Sequence, residues 1–148
     1  MDQRAMQLID ELDLQTHPEG GHYAEVHRSR AVTTIYFLLT AGEVSRWHRV
    51  RSEEIWHFYE GAPLELLQLT PEGGDLDRII LGPFGGRQRP VHCVPADHWQ
   101  AARSRGEYTL AGCTVAPAFE FSRFSLLKDS PELAAAISRY HPAVAQFV

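Results

Sequence analysis

The stretch Gly42–Gly61 reads GEVSRWHRVRSEEIWHFYEG. Two aromatic-rich runs with the alternation of strands, Val44 to Val50 and Glu54 to Tyr59, flank a short polar turn at Arg51-Ser52-Glu53. Side chains on an extended chain alternate between faces. Arg46, His48 and Val50 are therefore expected on one face, and Trp47 and Arg49 on the other. Glu54 opens the second strand and is expected to point back at His48 across the hairpin. Trp56 and Phe58 follow it inward, while His57 and Tyr59 point out. A base, a carboxylate and a guanidinium would then share one surface.

Outward from this hairpin the chain keeps the same rhythm. His22 to Val26 alternates, and Thr33 to Leu39 is a continuous β-branched and aromatic run suited to burial on both faces. Further strands are expected at Leu64 to Leu69, Arg78 to Leu81, Pro90 to Val94, His98 to Ala102, Tyr108 to Val115 and Phe119 to Leu126. Turn signals such as Pro71-Glu72-Gly73-Gly74 and Gly82-Pro83-Phe84-Gly85-Gly86 separate them at roughly ten-residue spacing, the mark of an all-β sandwich or barrel. The period changes only at the ends. Ala5, Leu8, Ile9 and Leu12 form the apolar stripe of an N-terminal helix, and HPEGG at His17 to Gly21 breaks it. Ser130 can cap a C-terminal helix with Pro131 at its first position and Leu133, Ile137 and Tyr140 on one face. Pro142 interrupts or restarts that helix.

Bulk properties narrow the function classes. At 148 residues the expectation is one domain over 1–148, with a hydrophobic share of 44% and a charged share of 22%. A net charge of −5 argues against a nucleic-acid partner, and the short cluster His27, Arg28 and Arg30 does not overturn that. No apolar run approaches the ~20 residues that cross a bilayer, so no membrane role is expected. The polar N-terminus makes the cytoplasm the expected compartment. Cys93 and Cys113 lie in no CxxC pair and are read as reduced, buried thiols.

The spacing Gly42, His48, Glu54, Gly61 resembles the first motif of the cupin superfamily, with Val50 standing where that motif has its second histidine. HPEGG, TTIYFLL at Thr33 to Leu39, SRWHRVRSEEIWHFYEG and TVAPAFEF at Thr114 to Phe121 look like a group of small, uncharacterised cupins. The resemblance covers nearly the whole chain. It implies a double-stranded β-helix, the jelly-roll barrel, bracketed by short terminal helices. It also implies a homodimer, since cupins commonly pair through exposed sheet edges and the strand around Tyr23 to Arg28 could serve as one. The nearest match to the second cupin motif is Pro95-Ala96-Asp97-His98-Trp99-Gln100, with Asp97 in place of the glycine and Gln100 in place of the last histidine ligand.

Candidate site residues follow from both lines. His48 with Glu54 is a proton-transfer pair, because a carboxylate fixes the imidazole tautomer and raises its basicity. Sugar-nucleotide epimerases among cupins use such a pair with a tyrosine, here Tyr36. Arg46 either neutralises Glu54 or receives an anionic group. Trp56 is an aromatic wall, Gln100 a polar contact from another strand, and Tyr23 and Glu19 are further pocket candidates. His17, His22, His92 and His141 carry no spacing argument.

The expected function is binding of a small polar or anionic molecule in the barrel, with metal-independent isomerase or epimerase chemistry. A non-catalytic binding or sensing protein is the alternative, and a metal-dependent cupin enzyme the second. No cofactor is expected; the weaker option is a divalent metal at His48, Glu54 and Gln100.

Overall fold

The computed structural model describes residues 1–148. Helix α1 (Gln3–Glu11) precedes strands β1 (Gln15–Thr16), β2 (His22–Arg28), β3 (Thr33–Thr40), β4 (Ser45–Val50) and β5 (Glu53–Gly61). Then come β6 (Leu64–Leu69), β7 (Leu76–Leu81), β8 (Val91–Val94), β9 (Trp99–Ser104), β10 (Tyr108–Ala116) and β11 (Phe124–Leu126), and α2 (Pro131–Tyr140) near the C-terminus. Two antiparallel sheets result, with strand orders β1-β2-β3-β10-β5-β8 and β11-β4-β9-β6-β7. This is the all-β jelly roll with terminal helices that the turn spacing and the motif pattern imply.

Burial sorts into three layers. Between the sheets lie Phe37, Leu39, Trp56, Leu64, Leu66 and Ala111. The outer face of the second sheet carries Trp47, Leu67, Leu69 and Trp99, which the C-terminal segment covers with Ile137, Val144 and Phe147. Trp47 Nε1 donates to the Val144 carbonyl (3.1 Å), tying the C-terminus to β4. The outer face of the first sheet is covered by α1 through Ala5 and Leu8 against Leu38 and Leu110. Asp2 caps α1 by accepting from the Arg4 and Ala5 amides, a cap the helical stripe alone does not announce.

Several local expectations change. The strand expected over Phe119 to Leu126 is shortened to β11, because Phe119 and Glu120 are irregular and Phe121–Arg123 winds into a 3-10 turn before it. Tyr140 stands exposed rather than on the buried face of α2, which rests on Ala134 and Ile137. Cys93 is exposed on β8, the last strand of its sheet, and only Cys113 is buried.

Alternation fails on β4. Ser45 pairs with Ala102 and His48 with Gln100, so three steps along β4 match two along β9. One extra residue is absorbed as a bulge, which resets which side chains point inward. Ser45 and His48 are both buried while Arg46, between them, is exposed.

Candidate functional site

The site is built around the HPEGG turn. Its backbone closes on itself, with His17 N donating to Gly21 O and Gly20 N to His17 O, both at 2.9 Å. Gly20 (φ 106°) and Gly21 (φ 81°) take left-handed conformations that L side chains resist. A Cβ on Gly20 would stand 2.1 Å from the Val44 carbonyl oxygen, so the turn presses directly on the chain entering β4. The Arg46 amide, at the bulge, donates to Glu19 O at 2.7 Å. The bulge and the turn hold each other, and the Glu19 side chain is driven into the barrel.

There Glu19 Oε1 accepts from Ser45 Oγ (2.9 Å), and Oε2 lies 3.0 Å from His48 Nε2. The other ring nitrogen of His48, Nδ1, is 2.7 Å from the Arg46 carbonyl oxygen. A carbonyl and a carboxylate can only accept, so both ring nitrogens carry protons and His48 is an imidazolium. Burial opposes that charge, but the adjacent Glu19 carboxylate, with Glu54 and the Arg46 carbonyl adding to it, raises His48 to about 9. Burial likewise works against the Glu19 carboxylate, and the His48 charge with the bonds from His48 and Ser45 brings it below its ordinary range. Phe124 of β11 stacks on the imidazole at 5.6 Å between centroids.

Glu54 pairs differently from the expectation. Its Oε1 accepts from Gln100 Nε2 at 2.7 Å, and Gln100 Oε1 accepts from Trp56 Nε1 at 2.8 Å. The carboxylate that bonds His48 is Glu19. β4 and β5 belong to different sheets and form no hairpin, so Glu54 reaches across the barrel to Gln100 of β9, while the HPEGG turn reaches His48 first. Burial pushes Glu54 up to about 7, against the pull of His48 and the Gln100 amide. Burial also raises the adjacent Cys113 thiol well above its usual value, and the charges of Glu54 and Glu19 add to this, so it stays protonated.

In front of this polar core lies a cavity of about 540 Å³, lined by His17, Tyr23, Ile35, Cys113, Phe119 and Phe121 among others. Arg28 also lines it. His17 sits in an aromatic surround, 4.7 Å between centroids from Tyr23 and 5.9 Å from Phe124. The Glu19 amide donates to His17 Nδ1 at 3.1 Å, so a neutral His17 carries its proton on Nε2. Burial lowers the pKa of His17, with Glu19 only partly offsetting it, and the ring is neutral near pH 7. His17 Nε2 and the Tyr23 hydroxyl make no hydrogen bond within the protein, and both residues line the cavity. The cavity wall thus presents hydrogen-bond donors without partners.

Of the sequence candidates, the fold buries His48 with Glu19 and Glu54 with Gln100 and Trp56 as two hydrogen-bonded groups inside the barrel, and sets Tyr23 on the cavity. Two lie elsewhere. Arg46 is turned outward by the β4 bulge and donates from Nη1 to the Val148 carbonyl at 2.9 Å. Tyr36 lies on the opposite face of β3 from Phe37, half-buried near α1 and edge-on to Tyr59. His17, which sequence reasoning set aside, stands at the cavity wall.

The metal implied by the cupin motif does not fit these donors. Both nitrogens of His48 are committed and protonated, both amide atoms of Gln100 are committed, and Val50 has no donor. No three His, Cys, Asp or Glu side chains are grouped to hold an ion.

A family model described as the Cupin superfamily (DUF985) matches residues 6–127. Among solved structures, protein SO0799 of Shewanella oneidensis is 34% identical with a TM-score of 0.87, over 95% of this chain and 94% of that one. A hypothetical protein from Leishmania major is 27% identical with a TM-score of 0.82, over 95% and 94%. An oxalate decarboxylase of Bacillus subtilis, at 15% identity and a TM-score of 0.66, matches over 86% of this chain and 34% of its own, a likeness of fold alone. No curated protein matches the chain.

Proposed function

The chain belongs to the DUF985 family of the cupin superfamily, and from that premise we propose that it binds a small molecule bearing hydrogen-bond acceptors in the cavity under the HPEGG turn. The observation that carries this reading is the pair of donors, His17 Nε2 and the Tyr23 hydroxyl, left without protein partners at the wall of a cavity whose other lining mixes apolar residues with Asp13, Gln15, Glu25, Arg28 and Thr33. Unpaired donors in such a place are costly unless a ligand or water meets them. A ligand carbonyl or oxyanion would be held by His17 and Tyr23 while its apolar part lies against Phe119, Phe121 and Ile35. Phenol is a suitable minimal probe. His17→Leu, which keeps bulk and removes the donor, is expected to weaken phenol binding about ten-fold by calorimetry. Equal affinity in the variant would refute the role given to His17.

Proton transfer on the bound molecule, the isomerase or epimerase reading, is second. It rests on Glu54, which at about 7 is tuned to exchange a proton near neutral pH, and on Cys113, which stands beside it at the cavity. His48, already an imidazolium, is not the base in this scheme. Incubating the protein in deuterated water with a panel of small keto acids and keto sugars is expected to introduce deuterium next to the carbonyl. Glu54→Gln is expected to abolish it. No incorporation across the panel by wild-type protein would leave binding as the activity.

The cytoplasm fits two unpaired cysteines, one of them exposed. No helix is long and apolar enough to cross a membrane. A homodimer fits the edge of the first sheet. β1 pairs only with His22 and Tyr23, so β2 from Ala24 to Arg28 has a free edge, with Val26 53% exposed. Sedimentation at micromolar concentration is expected to give twice the chain mass, and a monomer there would count against it.

A further inference from the structure

Next to the cavity lies a second hollow of about 450 Å³, lined by Arg28, Ser29, Arg30 and Arg123, with Glu120 as its one acid. In a chain of net charge −5, three arginines gathered on one hollow make a local excess of positive charge, offset there by Glu120 and by the Glu25 partner of Arg28. They are incompletely used by the protein itself. Arg28 is paired by Nε with Glu25 Oε1 (2.6 Å) and donates from Nη1 to the Phe119 carbonyl (2.9 Å), which leaves Nη2 without a bond. Arg123 donates from Nη2 to the Arg51 carbonyl (2.6 Å), and its buried Nε has no partner at all. Arg30 is exposed and forms no ion pair with any acid of the chain. Ser29 Oγ is occupied, accepting from the Ala31 and Val32 amides.

Arg28 lines both spaces, so the hollow and the cavity are neighbours joined at one side chain. We infer that the ligand is bipartite: its apolar, acceptor-bearing part fills the cavity, and an oxyanion tail, phosphoryl or carboxyl, docks on Arg28, Arg30 and Arg123. This rests on the cavity reading above and adds the class of molecule it takes. A planar guanidinium offers paired N–H groups that match two oxygens of one phosphoryl or carboxyl group. Phe119 and Glu120 belong to the irregular segment after β10, which Arg28 pins to β2. A tail bound at Arg28 and Arg123 would therefore bridge β2 and that segment beside the cavity.

Calorimetry on the full chain with phenol, phenyl phosphate, benzoate and inorganic phosphate separates the two parts. Phenyl phosphate or benzoate is expected to bind at least ten-fold tighter than phenol, and whichever does so identifies the tail chemistry. Arg30→Gln combined with Arg123→Gln is expected to bring that probe back to the affinity of phenol, with phenol itself unchanged. Arg30→Gln alone, at an exposed position, is expected to lose about three-fold and guards against misfolding of the double variant. Arg87→Gln, in a loop away from both spaces, is the charge control and is expected to change nothing. Anionic probes that bind no tighter than phenol, or that bind the double variant as they bind wild type, would overturn the inference and leave the cavity reading intact. Inorganic phosphate binding that disappears in the double variant, with no phenol binding anywhere, would uphold the arginine site and sink the cavity reading.

Discussion

Glu19→Ala is expected to cost about 3–5 kcal/mol of folding stability at pH 6, the usual cost of breaking a buried ion pair from one side. Glu19 is the group that bonds Nε2 of His48, and its other oxygen takes the Ser45 hydroxyl. Without it, an imidazolium would be left buried with the Arg46 carbonyl as its one bonded partner and only Glu54, which it does not bond, to offset its charge. His48 has one escape, which is to give up its proton. It would then be neutral in the folded state but protonated in the unfolded chain below 6.5. The cost should therefore shrink at pH 8, where deprotonation is easy in both states, and grow toward pH 5. Urea unfolding at the three pH values checks this. A loss under about 1 kcal/mol at pH 6, or a loss that does not depend on pH, would mean that Glu19 and His48 are not an ion pair.

The two strand runs that decide the fold were legible because their signals are local, but their pairing was not: the turn at Arg51-Ser52-Glu53 carries the chain from one sheet to the other and closes no hairpin. Strand alternation, turn residues at even spacing and the period change at both ends are properties of neighbouring residues, and they led to the two sheets and the two helices. The site was legible only where alternation held. On β5 it held, and Glu54 and Trp56 do face β9 as their parity implies. On β4 a single bulge moved Arg46 out while His48 stayed in, and nothing in SRWHRV announces a bulge. Its cause is non-local, since the Arg46 amide is held by a turn more than twenty residues away.

The same distance hid the role of His17. Glu19 was a candidate on the strength of HPEGG alone, but the partner it meets was not deducible from that turn. His17 lies two residues before Glu19 in a turn whose glycines force a tight reversal, and that pairing was the signal available. Tyr36 failed for a simpler reason. In TTIYFLL every residue is apolar or β-branched, so the run does not say which parity faces the barrel. The structure gives the interior to Ile35, Phe37 and Leu39, and Tyr36 goes to the outer side.

Glu54 and His48 are expected to make the wild-type protein lose stability as pH rises, in two adjoining steps of about 3 kcal/mol each between about 4.5 and 9, since every tenfold gain in proton affinity on folding contributes about 1.36 kcal/mol. Glu54 is raised in the folded state from 4.5 to about 7. Between those values the folded protein holds a proton that the unfolded chain has released, so this contribution is complete below 4.5 and gone above 7. His48 is raised from 6.5 to about 9, so its contribution is complete below 6.5 and is lost as pH passes 9. Glu19 works in the opposite sense, being lowered, and its contribution disappears only as pH falls below the ordinary carboxylate range. Burial lowers His17 and His92, whose contributions are lost as pH falls below 6.5, so they oppose the Glu54 step and the decline with pH should be clearest between 6.5 and 9.

Two variants separate the steps. Glu54→Gln keeps an acceptor for the Gln100 amide and has no proton to lose, so the step between 4.5 and 7 should vanish and the variant should match or exceed wild type at pH 8. Glu19→Ala should turn the upper step over. Burial would then outweigh the remaining pull of Glu54 and lower His48, so its contribution would be lost as pH falls below 6.5 rather than as it rises. Denaturant midpoints across pH 4.5–9.5 for the three proteins give the answer. Parallel curves would mean that neither Glu54 nor His48 changes its proton affinity on folding, and the charge assignment of the buried network would have to be abandoned.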